Sequence, residues 1–235
     1  LVLGDQIGER IPALDGADPA RTRVLLAEVA GEVAYAPHHA KKLVLIFSAM
    51  RHCAERLARK GWQVDHVPLD DPASSGSLTG ELERVVRLHG AGEVRVTEPG
   101  EWRVREALQG WADSAGVDFA FVPDDRFLST PEDFARWAKN RKTLRMEYFY
   151  REMRQRHDLL LEDGGPAGGE WNYDADNRRK LPPPAQRPRI SGPMHFTPDA
   201  TTEAVIELVR AHCPDAFGDP EPFWFAVTPG DAKRA

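Results

Sequence analysis

Glu93-Val94-Arg95-Val96-Thr97-Glu98-Pro99-Gly100-Glu101-Trp102-Arg103 sets a strand, a turn and a helix start in immediate succession. Valine alternates with charge from Glu93 onward, the two-residue period of an extended segment. Pro99-Gly100 breaks the run, and a helical pattern follows from Glu101 to Ala115. The same succession recurs on either side. Leu1-Val2-Leu3 is a short apolar run closed by Gly4, and Arg23–Glu28 is a second strand candidate. Pro37 opens a long helix with Leu43, Ile46, Phe47, Met50 and Leu57 on one face. Trp62–Val67 reads as a third strand, and Ser77 caps a helix containing Leu82, Val85, Val86 and Leu88. Glu93–Thr97 is the fourth strand and Val117–Val122 the fifth. Strands alternating with helices argue for a parallel sheet. The expectation is an α/β domain over residues 1–125, with a Rossmann-like five-stranded parallel sheet in the order 3-2-1-4-5 flanked by helices.

Beyond residue 125 the alternation stops. Pro131 begins a helix carrying Phe134 and Trp137. A second helix, about Thr143–Arg156, is expected to bury Met146, Phe149, Tyr150 and Met153 on one face. Together they make a helical extension over 126–162. Residues 163–200 are rich in Gly, Pro and Arg and too long for an ordinary connection. Trp171, Tyr173 and Phe196 argue for an ordered interdomain linker that wraps another domain, because disordered linkers carry few aromatics. An amphipathic helix runs from Thr201 to His212, and 201–235 reads as the start of a further helical domain. The chain opens on a strand without an initiator Met and ends shortly after Thr228-Pro229-Gly230-Asp231, a helix start, so a fragment of a longer protein is expected.

The net charge of -6 gives no global argument for nucleic-acid binding. Lys139–Arg156 nevertheless holds seven basic residues against two acidic ones. Contact with DNA phosphate competes there with a solvated helix face carrying pairs such as Glu147 with Arg151, and the regular apolar stripe favours the solvated face. Cys53 and Cys213 lie far apart without metal-ligand spacing, which points to a reducing, cytoplasmic setting. No apolar run approaches the ~20 residues of a membrane-spanning helix. His38-His39 points its rings about 100° apart on a helix, a poor metal pair. Ser48 lies mid-helix, with no nucleophile-elbow setting.

In an open parallel sheet, ligands bind beyond the carboxyl ends of the strands, where strand order reverses. Gly4-Asp5-Gln6, Glu28–Glu32 and Glu98–Glu101 all follow strands and would converge there. None is a phosphate-cradling glycine loop. They offer carboxylates instead: Asp5, Glu32, Glu98 and Glu101. Such a cluster repels phosphate and accepts hydrogen bonds from hydroxyls and ring N–H groups, so a neutral, polyhydroxylated ligand fits better than a nucleotide. Gly4 and Gly100 would let backbone approach a flat ring, and Ile46 and Phe47 would supply an apolar side. Asp5 and Glu101 are also placed to cap helices, and Glu28 suits a solvated position as well as a ligand contact. Arg51 is placed to reach the cleft.

Four stretches carry a more specific likeness: Leu3-Gly4-Asp5-Gln6, Thr97–Arg103, Lys142–Arg154 and Gly168-Gly169-Glu170-Trp171-Asn172-Tyr173-Asp174-Ala175-Asp176-Asn177-Arg178. Together they resemble the prokaryotic (6-4) photolyase family, the iron–sulfur branch of the cryptochrome/photolyase proteins. The resemblance implies an N-terminal α/β domain holding an antenna chromophore, 6,7-dimethyl-8-ribityllumazine. It carries ligand contacts onto Gly4, Asp5, Glu32, Ile46, Gly100 and Glu101. Ala27 stands where some relatives have Cys, which removes a polarizable contact. It further implies FAD and a 4Fe-4S cluster in a helical domain outside this chain, and light-driven repair of pyrimidine (6-4) pyrimidone lesions in UV-damaged DNA. The resemblance places no catalytic residue within these 235 positions. A monomer without membrane attachment is expected. Two rival readings are a cryptochrome-like blue-light photoreceptor and a stand-alone flavin- or nucleotide-binding module.

Overall fold

The computed structural model describes residues 1–178, 180, 182–183 and 191–235. Residues 179, 181 and 184–190, part of the expected 163–200 linker, lie outside the described residues. The chain divides into two compact units, Leu1–Pro123 with Pro193–Ala235, and Asp124–Gly192.

The first unit is mixed α/β with small parallel sheets. Strand β1 (Arg23–Ala27) pairs in parallel with β2 (Gln63–Val67), and β3 (Glu93–Thr97) with β4 (Asp118–Val122). Leu1–Leu3 runs between the two pairs. The Val2 N–H donates to the Leu25 carbonyl at 3.0 Å, and the Leu1 nitrogen donates to the Arg95 carbonyl at 3.1 Å. These are single bonds rather than a ladder, so each sheet as formed has two strands. Gln6 secures the junction: its buried amide donates to the Thr97 carbonyl at 2.9 Å.

Between the strands run α1 (Ala30–Ala34), α2 (Ala40–Arg59), α3 (Leu78–His89) and α4 (Trp102–Ala115). In the second unit lie α5 (Pro131–Ala138), α6 (Met146–Arg156), β5 (Leu161–Glu162), β6 (Gly165–Pro166) and α7 (Asp174–Asn177). Helices α8 (Ala200–His212) and α9 (Pro229–Arg234) return to the first unit.

Strand periodicity sorts the core of the first unit. Val2, Val24 and Leu26 pack with Leu43, Val44 and Phe47 of α2 and with Val205, Ile206 and Val209 of α8. Leu3, Leu25 and Ala27 pack the other way, with Val85 of α3, Val96 of β3, and Val104 and Leu108 of α4. Successive residues of an extended strand point to opposite faces, which is why neighbours in sequence join different clusters. Leu26 and Leu108 are fully buried, each contributing about 1.5–3 kcal/mol relative to exposure. Leu82 and Val85 of α3 are buried, whereas Leu88 is 67% exposed. Helix α2 starts at Ala40, not Pro37, because His39 caps it by accepting the Lys41 N–H at 3.1 Å. Ser77 caps α3 as expected, accepting from the Gly80 N–H.

In the second unit, α5 begins with a reciprocal Thr130–Asp133 capping box. Trp137, Phe149 and Met153 form its small core, with the Phe134 and Phe149 rings edge to face at 5.3 Å. Met146 and Tyr150, expected on the same buried stripe, are 57% and 48% exposed. The single short helix α5 covers only the Phe149–Met153 edge, so the stripe is narrower than its spacing implied. The basic face is partly paired internally. Arg151 contacts Glu147, and Arg156 bridges Asp133 and Glu152 at 3.0 and 3.2 Å. Trp171 packs under Arg151 and Arg154, whose guanidinium carbons lie 5.5 and 5.1 Å from its ring centre.

Candidate functional site

A cavity opens beyond the carboxyl ends of β1 and β3, on either side of the Leu1–Leu3 segment. Its volume is about 140 Å³, and Gly4, Asp5, Glu32, Ile46, Gly100 and Glu101 all line it. The six arrive on four different devices. Gly4 and Asp5 sit in the turn after Leu3, Glu32 on α1, Ile46 on α2, and Gly100 and Glu101 in the turn from β3 into α4.

The apolar wall comes from α2. Leu43, Ile46, Phe47 and Met50 recur at helical spacing and turn one face to the cavity. Gly4 lies against that wall: a Cβ there would meet Ile46 Cγ2 at 3.0 Å and Met50 Sδ at 3.2 Å. A side chain there would make the Ile46 and Met50 side chains give way by a few tenths of an ångström. At Gly100 a Cβ would come no nearer than 3.9 Å to Asp5 Oδ2, so that turn leaves room. Ala27 also lines the cavity, at the end of β1.

The rim is acidic but not open. Arg103 on the first turn of α4 donates two parallel hydrogen bonds to the Glu32 carboxylate, both at 2.8 Å, and a third to Glu101 at 3.0 Å. Its guanidinium lies 4.1 Å from the centre of the Tyr35 ring, and the Tyr35 hydroxyl donates to Glu101 at 3.3 Å. The Glu32 hydrogen bonds raise the Arg103 pKa above its ordinary value despite partial desolvation, so the cation is permanent. Partial burial and the Glu101 carboxylate hold the Tyr35 hydroxyl above its ordinary pKa. Glu101 occupies the N-cap position of α4 without a side-chain capping bond; its carboxylate serves the rim instead.

Lys42 and His38 close the remaining side. The Lys42 ammonium is donor-only and lies 3.2 Å from His38 Nδ1, so Nδ1 is the acceptor. His38 Nε2 then carries the proton, donated to the Glu32 carbonyl at 3.1 Å. His39 points elsewhere, its ring edge to face with Phe217 at 5.1 Å. Among the described residues no His, Cys, Asp and Glu side chains gather as a metal site.

Two carboxylates have different roles from those the strand ends suggested. Glu28 is neither solvated nor a ligand contact. Its fully buried carboxylate takes a bidentate pair from Arg51 at 2.8 and 2.9 Å, His66 Nε2 at 3.0 Å and the Leu69 N–H at 3.0 Å. Burial would raise its pKa, but Arg51, His66 and the Leu69 N–H together outweigh burial and hold it below the usual carboxylate range. Arg51 is therefore committed to Glu28 rather than to the cleft. Glu98 turns to Arg105 at 2.8 Å. Sequence reasoning quoted Arg103 but gave it no role, and Tyr35 carried no signal. An Arg two residues after the Glu101 turn was the available clue.

The whole chain takes part in the likeness to known proteins. The family model of the deoxyribodipyrimidine photo-lyase-related proteins matches residues 1–225. A (6-4) photolyase of Agrobacterium fabrum is 47% identical over 237 aligned residues, covering 100% of this chain and 46% of the relative. An uncharacterised protein of Acanthamoeba polyphaga mimivirus is 23% identical over 145 residues, covering 60% of this chain and 71% of its own. The chain thus spans about half the length of the curated photolyase it matches. With the family model spanning nearly every residue, this chain belongs to the deoxyribodipyrimidine photo-lyase-related family.

Proposed function

We propose that this chain is the antenna-binding portion of a light-driven photolyase that repairs pyrimidine (6-4) pyrimidone lesions in UV-damaged DNA. The observation that carries the reading is the convergence of Gly4, Asp5, Glu32, Ile46, Gly100 and Glu101 on one cavity, in a chain 47% identical to a (6-4) photolyase. In this reading Leu1–Leu3, which makes single hydrogen bonds to β1 and β3, serves as the central strand of a five-stranded parallel sheet in the order 3-2-1-4-5, counted with Leu1–Leu3 as strand 1, and the cavity lies at the reversal point.

The residues fit 6,7-dimethyl-8-ribityllumazine. Ile46 and the Gly4 backbone would hold the flat ring, and Asp5, Glu32 and Glu101 would accept hydrogen bonds from the ribityl hydroxyls. The acidic rim and the lack of a phosphate-cradling loop disfavour phosphorylated ligands. When bound, the lumazine supplies light absorption and hands energy on through space. The protein's part is to fix its orientation and to keep out water.

FAD and a 4Fe-4S cluster belong, in this reading, to the portion of a longer protein that corresponds to the rest of the photolyase relative. Cys53 and Cys213 are both buried and free, as suits a reducing cytoplasm, and form no cluster ligand set. No helix among the described residues is long and apolar enough to cross a membrane.

The test is the full-length protein purified without added cofactor. Lumazine absorbance and fluorescence together with blue-light repair of a (6-4) lesion in an oligonucleotide are expected. Flavin photoreduction without repair would instead indicate a photoreceptor. Absence of both, with a flavin or nucleotide in the cavity, would indicate a stand-alone binding module.

A further inference from the structure

The wall that carries Glu32 is weakly built. Helix α1 has five residues, no buried side chain and no side-chain cap at Val29. Isolated helices shorter than ~12–15 residues do not persist on propensity alone. Val33 packs against the core and the preceding Val29 is buried, and the rest of the hold comes from tethers. The Gly31 N–H donates to the Gly76 carbonyl at 2.9 Å, and His38 donates to the Glu32 carbonyl at 3.1 Å. The third tether comes from α4, a different wall: Arg103 grips the Glu32 carboxylate with two bonds and Glu101 with one. Arg103 itself does not line the cavity, whereas Glu32, Tyr35 and Glu101 do.

We propose that Arg103 is a positioning residue. It pins residues 30–36 as a flap over the cavity and, without touching the ligand, sets the rate at which a neutral polyhydroxylated ring compound leaves. The second half of this inference rests on the antenna reading; the first does not. A bidentate guanidinium occupies one lone pair of each carboxylate oxygen and leaves others for hydroxyl donors. Arg103 can therefore stay in place while Glu32 and Glu101 bind. It also relieves the repulsion between two carboxylates that share one rim. The Tyr35 ring beneath the guanidinium adds a stacking contact and ties the C-terminal end of α1 to the same grip. A lone exposed ion pair would count for little. Here three hydrogen bonds and a stacked ring act on one side chain.

The test uses the full-length protein with wild-type, Arg103→Ala and Arg103→Lys sequences. Hydrogen exchange is read over residues 29–37 without ligand, and dissociation of added 6,7-dimethyl-8-ribityllumazine is followed by fluorescence. In Arg103→Ala, exchange in that stretch is expected to quicken roughly three- to tenfold, the range for a partly exposed bidentate pair, with β3 and the later turns of α4 unchanged. Arg103→Lys, which keeps the charge but not the fork, falls between. High salt moves the wild type toward Arg103→Ala and leaves the variant alone. Lumazine dissociation follows the same order. Unchanged exchange at 29–37, or equal acceleration throughout the unit, overturns the flap. A loosened flap with unchanged lumazine dissociation overturns the control of ligand release. If no sequence takes up lumazine, the antenna reading fails, and the exchange data alone decide the flap.

Discussion

Replacing Glu28 by alanine is expected to cost about 3–5 kcal/mol at neutral pH, the penalty for breaking a buried pair and leaving one charge behind. The structure gives the reasons. The Glu28 carboxylate is wholly buried, while Arg51 retains 20% side-chain exposure. Removal would strand the Arg51 guanidinium with little water to replace its partner. It would also leave His66 and the Leu69 N–H without their shared acceptor. In urea the midpoint should fall by roughly 1–5 M, given slopes of ~1–3 kcal/mol/M. The sign of the pH dependence follows from the depressed carboxyl. Its stabilisation is fully present above the unfolded carboxylate value of about 4.3 and is lost as pH falls through the lower folded value. The gap between wild type and Glu28→Ala should therefore be widest near neutrality and shrink in acid. A double variant, Glu28→Met with Arg51→Met, should recover most of the loss, because no charge is then left buried alone. A single-variant loss below about 1 kcal/mol, or a loss independent of pH, would refute the assignment of Glu28 as a buried ion-pair hub.

Other consequences concern the cavity and a tight contact beside it. Glu32→Ala should weaken lumazine binding by about 1–3 kcal/mol, the loss of one buried polar contact; undiminished chromophore retention on purification would defeat the assignment. Gly4→Val should keep the fold while abolishing retention, because even a Cβ there meets Ile46 at 3.0 Å, and absorbance of the purified variant reads this directly. Gly218→Ala should lower the melting temperature through a loss of about 1–3 kcal/mol. Gly218 has φ +76°, and a Cβ would fall 2.3 Å from His39 Nε2.

Elements with strong local signals were legible before any coordinates. The Glu93–Thr97 strand matches its expected limits, and α3 and α5 start directly after Ser77 and at Pro131. Cap and turn residues act within a few positions, so their meaning survives without tertiary context. Helix α1 was missed because five residues carry no readable period. The stripe on α6 was over-read because periodicity shows which residues share a face, not how much of that face a neighbour covers.

For the cavity, the sequence alone established the chemical character: carboxylates after the strands, glycines in the turns, an apolar helix face and no phosphate loop. The tertiary structure decided which carboxylate does what. Glu28 meets Arg51 across 23 positions of the chain, and Glu32 meets Arg103 across 71. Local rules describe backbone geometry and composition over one or two turns, whereas the partner of a charge is chosen by whatever the packed layers bring beside it. That is why the acids at the strand ends could be read from the sequence, while their division into a buried hub and a pinned rim could not.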